Sequence, residues 1–169
     1  MSQTPAERRP GPGPAEAAAR PRASFCLANR LSELSVLARQ LEAFGRAGGL
    51  SRRLVLEINL ALEELFTNIV SHGFTDQTEH FVHFDLTCDE ERVIIRVEDD
   101  APFFDPLAAC SPDLCCSLEQ RPVGGLGVHL IRCFMNGLVY ERRGERNILM
   151  LEKRRPAPGR PEGARHGDH

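Results

Sequence analysis

Apolar positions fall into two rhythms along the chain. They recur first as Leu34, Leu37, Ala38, Leu41 and Phe44, the three-and-four spacing that lays side chains along one stripe of a helix. Ser32 stands where an N-cap belongs, and Gly48 and Gly49 end the segment. The same spacing returns in Leu54, Val55, Ile58, Ala61, Leu62, Leu65 and Ile69, behind a cap at Ser51 and with closure near Gly73. The period then drops towards two. FVHFDLT and VIIRVE flank the charged turn DEER, which predicts a hairpin. A loop from Asp99 to about Val123 carries Pro102, Pro106, Pro112 and Pro122. After Gly124-Gly125-Leu126-Gly127, a helix is predicted through Leu130, Ile131 and Phe134. GLVYERR, a turn at Gly144 and NILMLEKR close the chain as a second hairpin. Helices on one face of a mixed, mostly antiparallel sheet make a two-layer α+β sandwich.

The ends lack both rhythms. Residues 1–22 and 156–169 are biased towards Pro, Gly, Ala and Arg and are expected to be disordered, leaving a folded domain over 23–155. At 169 residues the chain suits one domain with a substantial core. A net charge of -3 gives no footing for a nucleic-acid partner, which calls for a basic face. No apolar run approaches the roughly 18 residues of a membrane span, and the N-terminus lacks the apolar middle of a secretory signal. The expected location is cytoplasmic. Cys26, Cys88 and Cys133 lie singly among apolar residues, as small hydrophobes do. Cys110, Cys115 and Cys116 cluster without a pair of CxxC motifs, so reduced thiols are expected in place of a zinc site.

Three segments carry candidate chemistry. On the second helix Glu57, Ala61, Glu64, Asn68 and His72 recur at intervals of three or four, on or near one face. Such a line can serve a ligand, or it can be a solvated face with i,i+4 polar pairs. In VEDDAPFFDP a β-branched strand ends in two acids; an Asp there can accept from an amino group such as that of adenine, or simply favour the turn. In GGLGVHLI, glycines feed a helix, so backbone N–H groups and the helix dipole suit phosphate oxygens; an ordinary loop-to-helix turn reads the same way.

Taken in order, ALEELFTNIVSHGF, VEDDAPFFDP and GGLGVHLIRCFMN closely resemble the successive N, G1 and G2 boxes of the GHKL, or Bergerat-fold, ATP-binding superfamily. The short chain and its E-E-x-x-x-N-x-x-x-H pattern look most like the anti-sigma factor branch of serine-protein kinases (a HATPase_c-like domain). The likeness runs from about Phe25 to Lys153 and implies ATP or ADP and Mg²⁺ as ligands. By that resemblance Asn68 coordinates the Mg²⁺ that bridges the ATP phosphates, and Glu64 is the general base. His72 continues the same face and either meets the phosphates or closes the site. Asp99 matches the adenine-binding acid.

At the G1 box the sequence departs from the family. Ala101 stands where the first glycine is expected, and Phe103 occupies the region of the second. Alanine suits only a turn that needs no positive φ. Phe103 or Phe104 either walls the adenine or plugs the core. The resemblance further assigns Gly124, Gly125, Leu126, Gly127 and Val128 to the phosphates, the segment from about Pro106 to Val123 to an ATP lid, and Asn147 to the adenine site. It implies a kinase that phosphorylates a STAS-type antagonist on serine, binds a sigma factor, and works as a homodimer. Contact with partners would fall around the first helix, with Arg30 and Arg39 as candidates. The alternative is a nucleotide-gated binding module without phosphotransfer.

Overall fold

The computed structural model describes residues 20–76, 78–102 and 125–156. Its elements are β1 (Arg22–Ala28), a 3-10 turn (Leu31–Glu33), α1 (Leu34–Ala47), α2 (Arg52–Asn68), a π-helical turn (Ile69–Gly73), β2 (Phe81–Cys88), β3 (Arg92–Asp99), α3 (Gly125–Phe134), β4 (Gly137–Arg143) and β5 (Arg146–Arg154). The five strands form one sheet in the order β1-β2-β3-β5-β4. The expected α+β sandwich holds, and its sheet, expected mixed but mostly antiparallel, is antiparallel at every described pairing.

Alternation decides the layering. On β2, Val82, Phe84, Leu86 and Cys88 are buried, as are Val93, Ile95 and Val97 on β3, so one face of the sheet is apolar and the other is not. That face shares a single core with Leu37, Leu41 and Phe44 of α1 and Leu54, Ile58, Ala61, Leu62, Leu65 and Phe66 of α2. Phe66, absent from the stripe read off the sequence, is fully buried and tilts against Phe84, with centroids 6.2 Å apart. Deleting such a side chain costs about 3–5 kcal/mol. Ser51 caps α2 as expected, accepting from the Leu54 N–H at 3.2 Å.

Some expectations need correction. β1 was not foreseen as a strand; it pairs with β2 and stacks Phe25 on Phe84 at 5.2 Å. Ser32 does not cap α1: it lies inside the 3-10 turn, Glu33 holds the N-cap position, and neither cap residue makes a side-chain cap bond. α2 does not run as an α-helix to Gly73 but passes into a π turn at Ile69. Cys88 is buried as a small hydrophobe, whereas Cys26 and Cys133 are exposed because they fall on the outward phase of their elements. Cys110, Cys115 and Cys116 and most of both tails lie outside the described residues. Among the described residues no helix is long and apolar enough to cross a membrane.

Candidate functional site

A pocket opens between the end of α2 and the sheet. It holds about 410 Å³ of unfilled space, part of it open solvent, and is lined by Leu65, Asn68, Ile69, Gly73, Val97, Asp99, Ala101, Tyr140, Asn147 and Leu149. Water-sized space within it is about 30 Å³, so the walls stand close together. The helical wall is the stripe Leu65–Asn68–Ile69–Gly73, which the π turn carries to the ends of β3 and β5. Such turns recur at functional sites.

Strand register builds the floor. Asp99 on β3 lies opposite Asn147 on β5, and Asn147 opposite Arg142 on β4. Two residues inward, Val97, Leu149 and Tyr140 form a second row. The polar row is buried at Asp99 and Asn147, 5% and 6% exposed, and buried polar groups need partners. Asp99 Oδ1 accepts from the Ala101 N–H at 2.9 Å and from Asn147 Nδ2 at 2.7 Å. Asn147 Oδ1 accepts from Tyr140 Oη at 2.8 Å and Arg142 Nη1 at 2.6 Å. Burial pushes the Asp99 carboxyl above the ordinary carboxylate value, against the hydrogen bonds from Asn147 and Ala101; the charge of Asp100 adds to the rise and that of Arg142 opposes it. Both bonds end on Oδ1, so among the described residues Oδ2 remains available to an amino group.

The structure therefore brings Asn68, Asp99, Ala101 and Asn147 together. Ala101 is 2% exposed, and no described non-glycine residue has a positive φ, so its turn does not need glycine. The glycine of this contact is Gly73 instead, where an added Cβ would stand 3.0 Å from Ala101 Cβ.

Glu64 and His72 are not in the pocket lining. Each sits one residue before a lining residue, at the flank of the stripe; Glu64 is half-buried and His72 exposed. Glu57, drawn into the same polar line, is committed elsewhere: it pairs with Lys153 at 2.5 Å and Arg53 at 2.9 Å. Ala61 is core, at 0% exposure. Gly125, Leu126, Gly127 and Val128 form the first turn of α3, so the glycines expected in a loop lie within the helix itself. Gly124, Phe103, Phe104 and the expected lid lie outside the described residues. Tyr140 and Arg142 were missed, because only the pairing of β4 with β5 brings them to Asn147.

The sequence model of the histidine kinase-like ATPase domain matches residues 27–153. The chain belongs to this family. Within it, the GHKL-type resemblance holds, and the domain is an ATP-binding one. The chain is also similar to the serine/threonine-protein kinase BtrW of Bordetella bronchiseptica, with 38% identity over 101 residues, 60% of this chain and 71% of that protein.

Proposed function

We propose that the chain is an ATP- and Mg²⁺-dependent serine-protein kinase and partner switch, which phosphorylates a STAS-type antagonist on serine and sequesters a second partner such as a sigma factor. The observation that carries this is the meeting of Asn68 and Asp99 in one pocket with otherwise largely apolar walls. Asp99 Oδ2 accepts the exocyclic amino group of adenine, and Leu65, Ile69, Val97, Leu149 and Tyr140 pack its ring faces. Phosphates reach the first turn of α3, where the N–H groups of Gly125, Leu126 and Gly127 donate at the positive end of a ten-residue helix.

Among the described residues no group of three or more His, Cys, Asp and Glu offers a metal cage. That fits Mg²⁺, which commonly takes one or two protein ligands beside the phosphates, and the neutral amide oxygen of Asn68 suits it. When bound, the ion neutralises phosphate charge and helps align the γ-phosphoryl group. Glu64, about 6 Å along the helix axis from Asn68, takes the proton of the attacking serine hydroxyl on its carboxylate. The similarity to a protein named as a serine/threonine kinase supports the transfer step. A homodimer acting in the cytoplasm completes the proposal.

The flank position of Glu64 favours one second reading, a nucleotide-gated binding module without phosphotransfer. Incubation of the wild type and Glu64→Gln with γ-labelled ATP and a STAS-domain protein separates the two. The kinase reading expects phosphoserine from the wild type, reduced about 100-fold or more in the variant, with ATP affinity retained. ATP binding without transfer by the wild type supports the module; undiminished transfer by Glu64→Gln removes Glu64 as the base.

A further inference from the structure

Asp99, Asn147 and Arg142 stand in one register row across three strands, and the row is wired in one direction. Arg142 Nη1 donates to Asn147 Oδ1 at 2.6 Å, and Tyr140 Oη donates to the same oxygen at 2.8 Å. With two donors on its oxygen, the amide can turn only Nδ2 towards β3, where it meets Asp99 Oδ1 at 2.7 Å. The reverse orientation would set acceptor against acceptor and donor against guanidinium. Arg142 Nη1 also donates to the Ala101 carbonyl at 2.8 Å, and Nε to that of Gly144 at 3.1 Å. It thereby pins the turn whose Ala101 N–H is the other donor to Asp99 Oδ1. Both groups held by Arg142 Nη1 converge on one carboxylate oxygen and leave the second for the pocket.

We propose that Arg142 is a positioning residue that sets purine selectivity: acting through Asn147 and the Ala101 turn, it keeps Asp99 an acceptor, so the pocket takes a 6-amino purine over a 6-keto one. This rests on the pocket being the base site. An ionised carboxylate attracts an amino group and repels a keto oxygen, whereas a protonated one can donate and so tolerates both. Burial favours the protonated form of Asp99, and the positive charge of Arg142 works against it.

The test is calorimetric titration of wild type, Arg142→Met, Arg142→Lys and Tyr140→Phe with ATP–Mg²⁺ and ITP–Mg²⁺, whose bases differ in the 6-amino or 6-keto group and in N1, an acceptor in adenine and an N–H in hypoxanthine. Wild type should prefer ATP by about 100-fold or more. Arg142→Met should lower that ratio about tenfold, and raising the pH should restore part of it as Asp99 ionises. Arg142→Lys should keep most of the preference. Tyr140→Phe, which removes the neutral donor to the same oxygen, should lower the ratio by a smaller factor. Parallel loss of both nucleotides in Arg142→Met, at constant ratio, would mean support without selection and overturn the proposal; so would unchanged affinities and ratio in that variant. A wild type that binds neither nucleotide would sink the base-site reading itself.

Discussion

Exchanging the methyl group between Gly73 and Ala101 tests how the pocket tolerates an alanine at a family glycine position. A Cβ on Gly73 would approach Ala101 Cβ to 3.0 Å and Ile69 Cγ2 to 3.7 Å; only the first is tight. Gly73 does not have a positive φ, unlike Gly49 and Gly144, so its backbone accepts alanine. Gly73→Ala then gains about 0.4–1 kcal/mol from a stiffer unfolded chain and loses about 1–3 kcal/mol to overpacking. The net cost is about 0.5–2 kcal/mol. Ala101→Gly empties a buried methyl site and loosens the chain, costing about 1–2 kcal/mol. In the double variant the methyl group has only crossed the contact, so both penalties largely cancel and the coupling approaches their sum, about 1.5–4 kcal/mol. Urea denaturation of the four proteins measures it, provided the m-values agree. Both residues line the pocket, so ATP–Mg²⁺ affinity should fall in the singles and recover in the double. Additivity within about 0.5 kcal/mol would refute the claim that one close contact governs both positions.

Asp99→Asn should weaken ATP binding about 10–100-fold, as loss of a hydrogen bond to a charged group does, while the unliganded domain keeps or gains thermal stability. The sign follows from burial: the folded carboxyl binds its proton more readily than the unfolded one, so wild type gains stability as pH falls from neutral, and the variant lacks that gain. A lower melting point with unchanged ATP affinity would contradict it. His80 is shifted in the same direction, but because its charged form is favoured. Its hydrogen bond to Asp76 raises its proton affinity against the effect of burial, and the bond and charge of Asp100 add to the rise; the contacts are 2.9 Å and 3.1 Å, with Phe74 stacked on the ring. Its contribution is full below the unfolded histidine value and is lost as pH rises through the folded one. Urea midpoints of wild type should decline as pH rises through that step, and those of His80→Gln should not; equal slopes would refute it.

Much of this was legible because spacing carries the information. The stripes of α1 and α2, the Ser51 cap, the hairpin turn at Gly144 and the place of Asp99 at a strand end all follow from local periodicity and turn chemistry. β1 escaped because a seven-residue edge strand with Ser24 and Cys26 outward shows only three inward apolar residues, Ala23, Phe25 and Leu27. The π turn escaped because 3.6 and wider periods look alike over five residues. Asn68 and Asp99 were readable from their boxes. The Tyr140–Arg142–Asn147 assembly was not, since it exists only once β4 and β5 are in register.

The far end of α3 is fastened hard. Lys153 Nζ donates to the Phe134 carbonyl at 2.5 Å while paired with Glu57 of α2; the Asn136 N–H reaches Glu152 O at 2.8 Å, and Asn136 Oδ1 accepts from the Arg154 N–H at 2.8 Å. β5 carries these clamps and also Asn147, six residues earlier, about 20 Å away along a strand. The pocket floor and the tail of α3 thus share one strand. Gly125 stands about 14 Å from that fastening along the helix axis. One strand therefore sets the spacing between the pocket floor and the joint that ties α2 to α3.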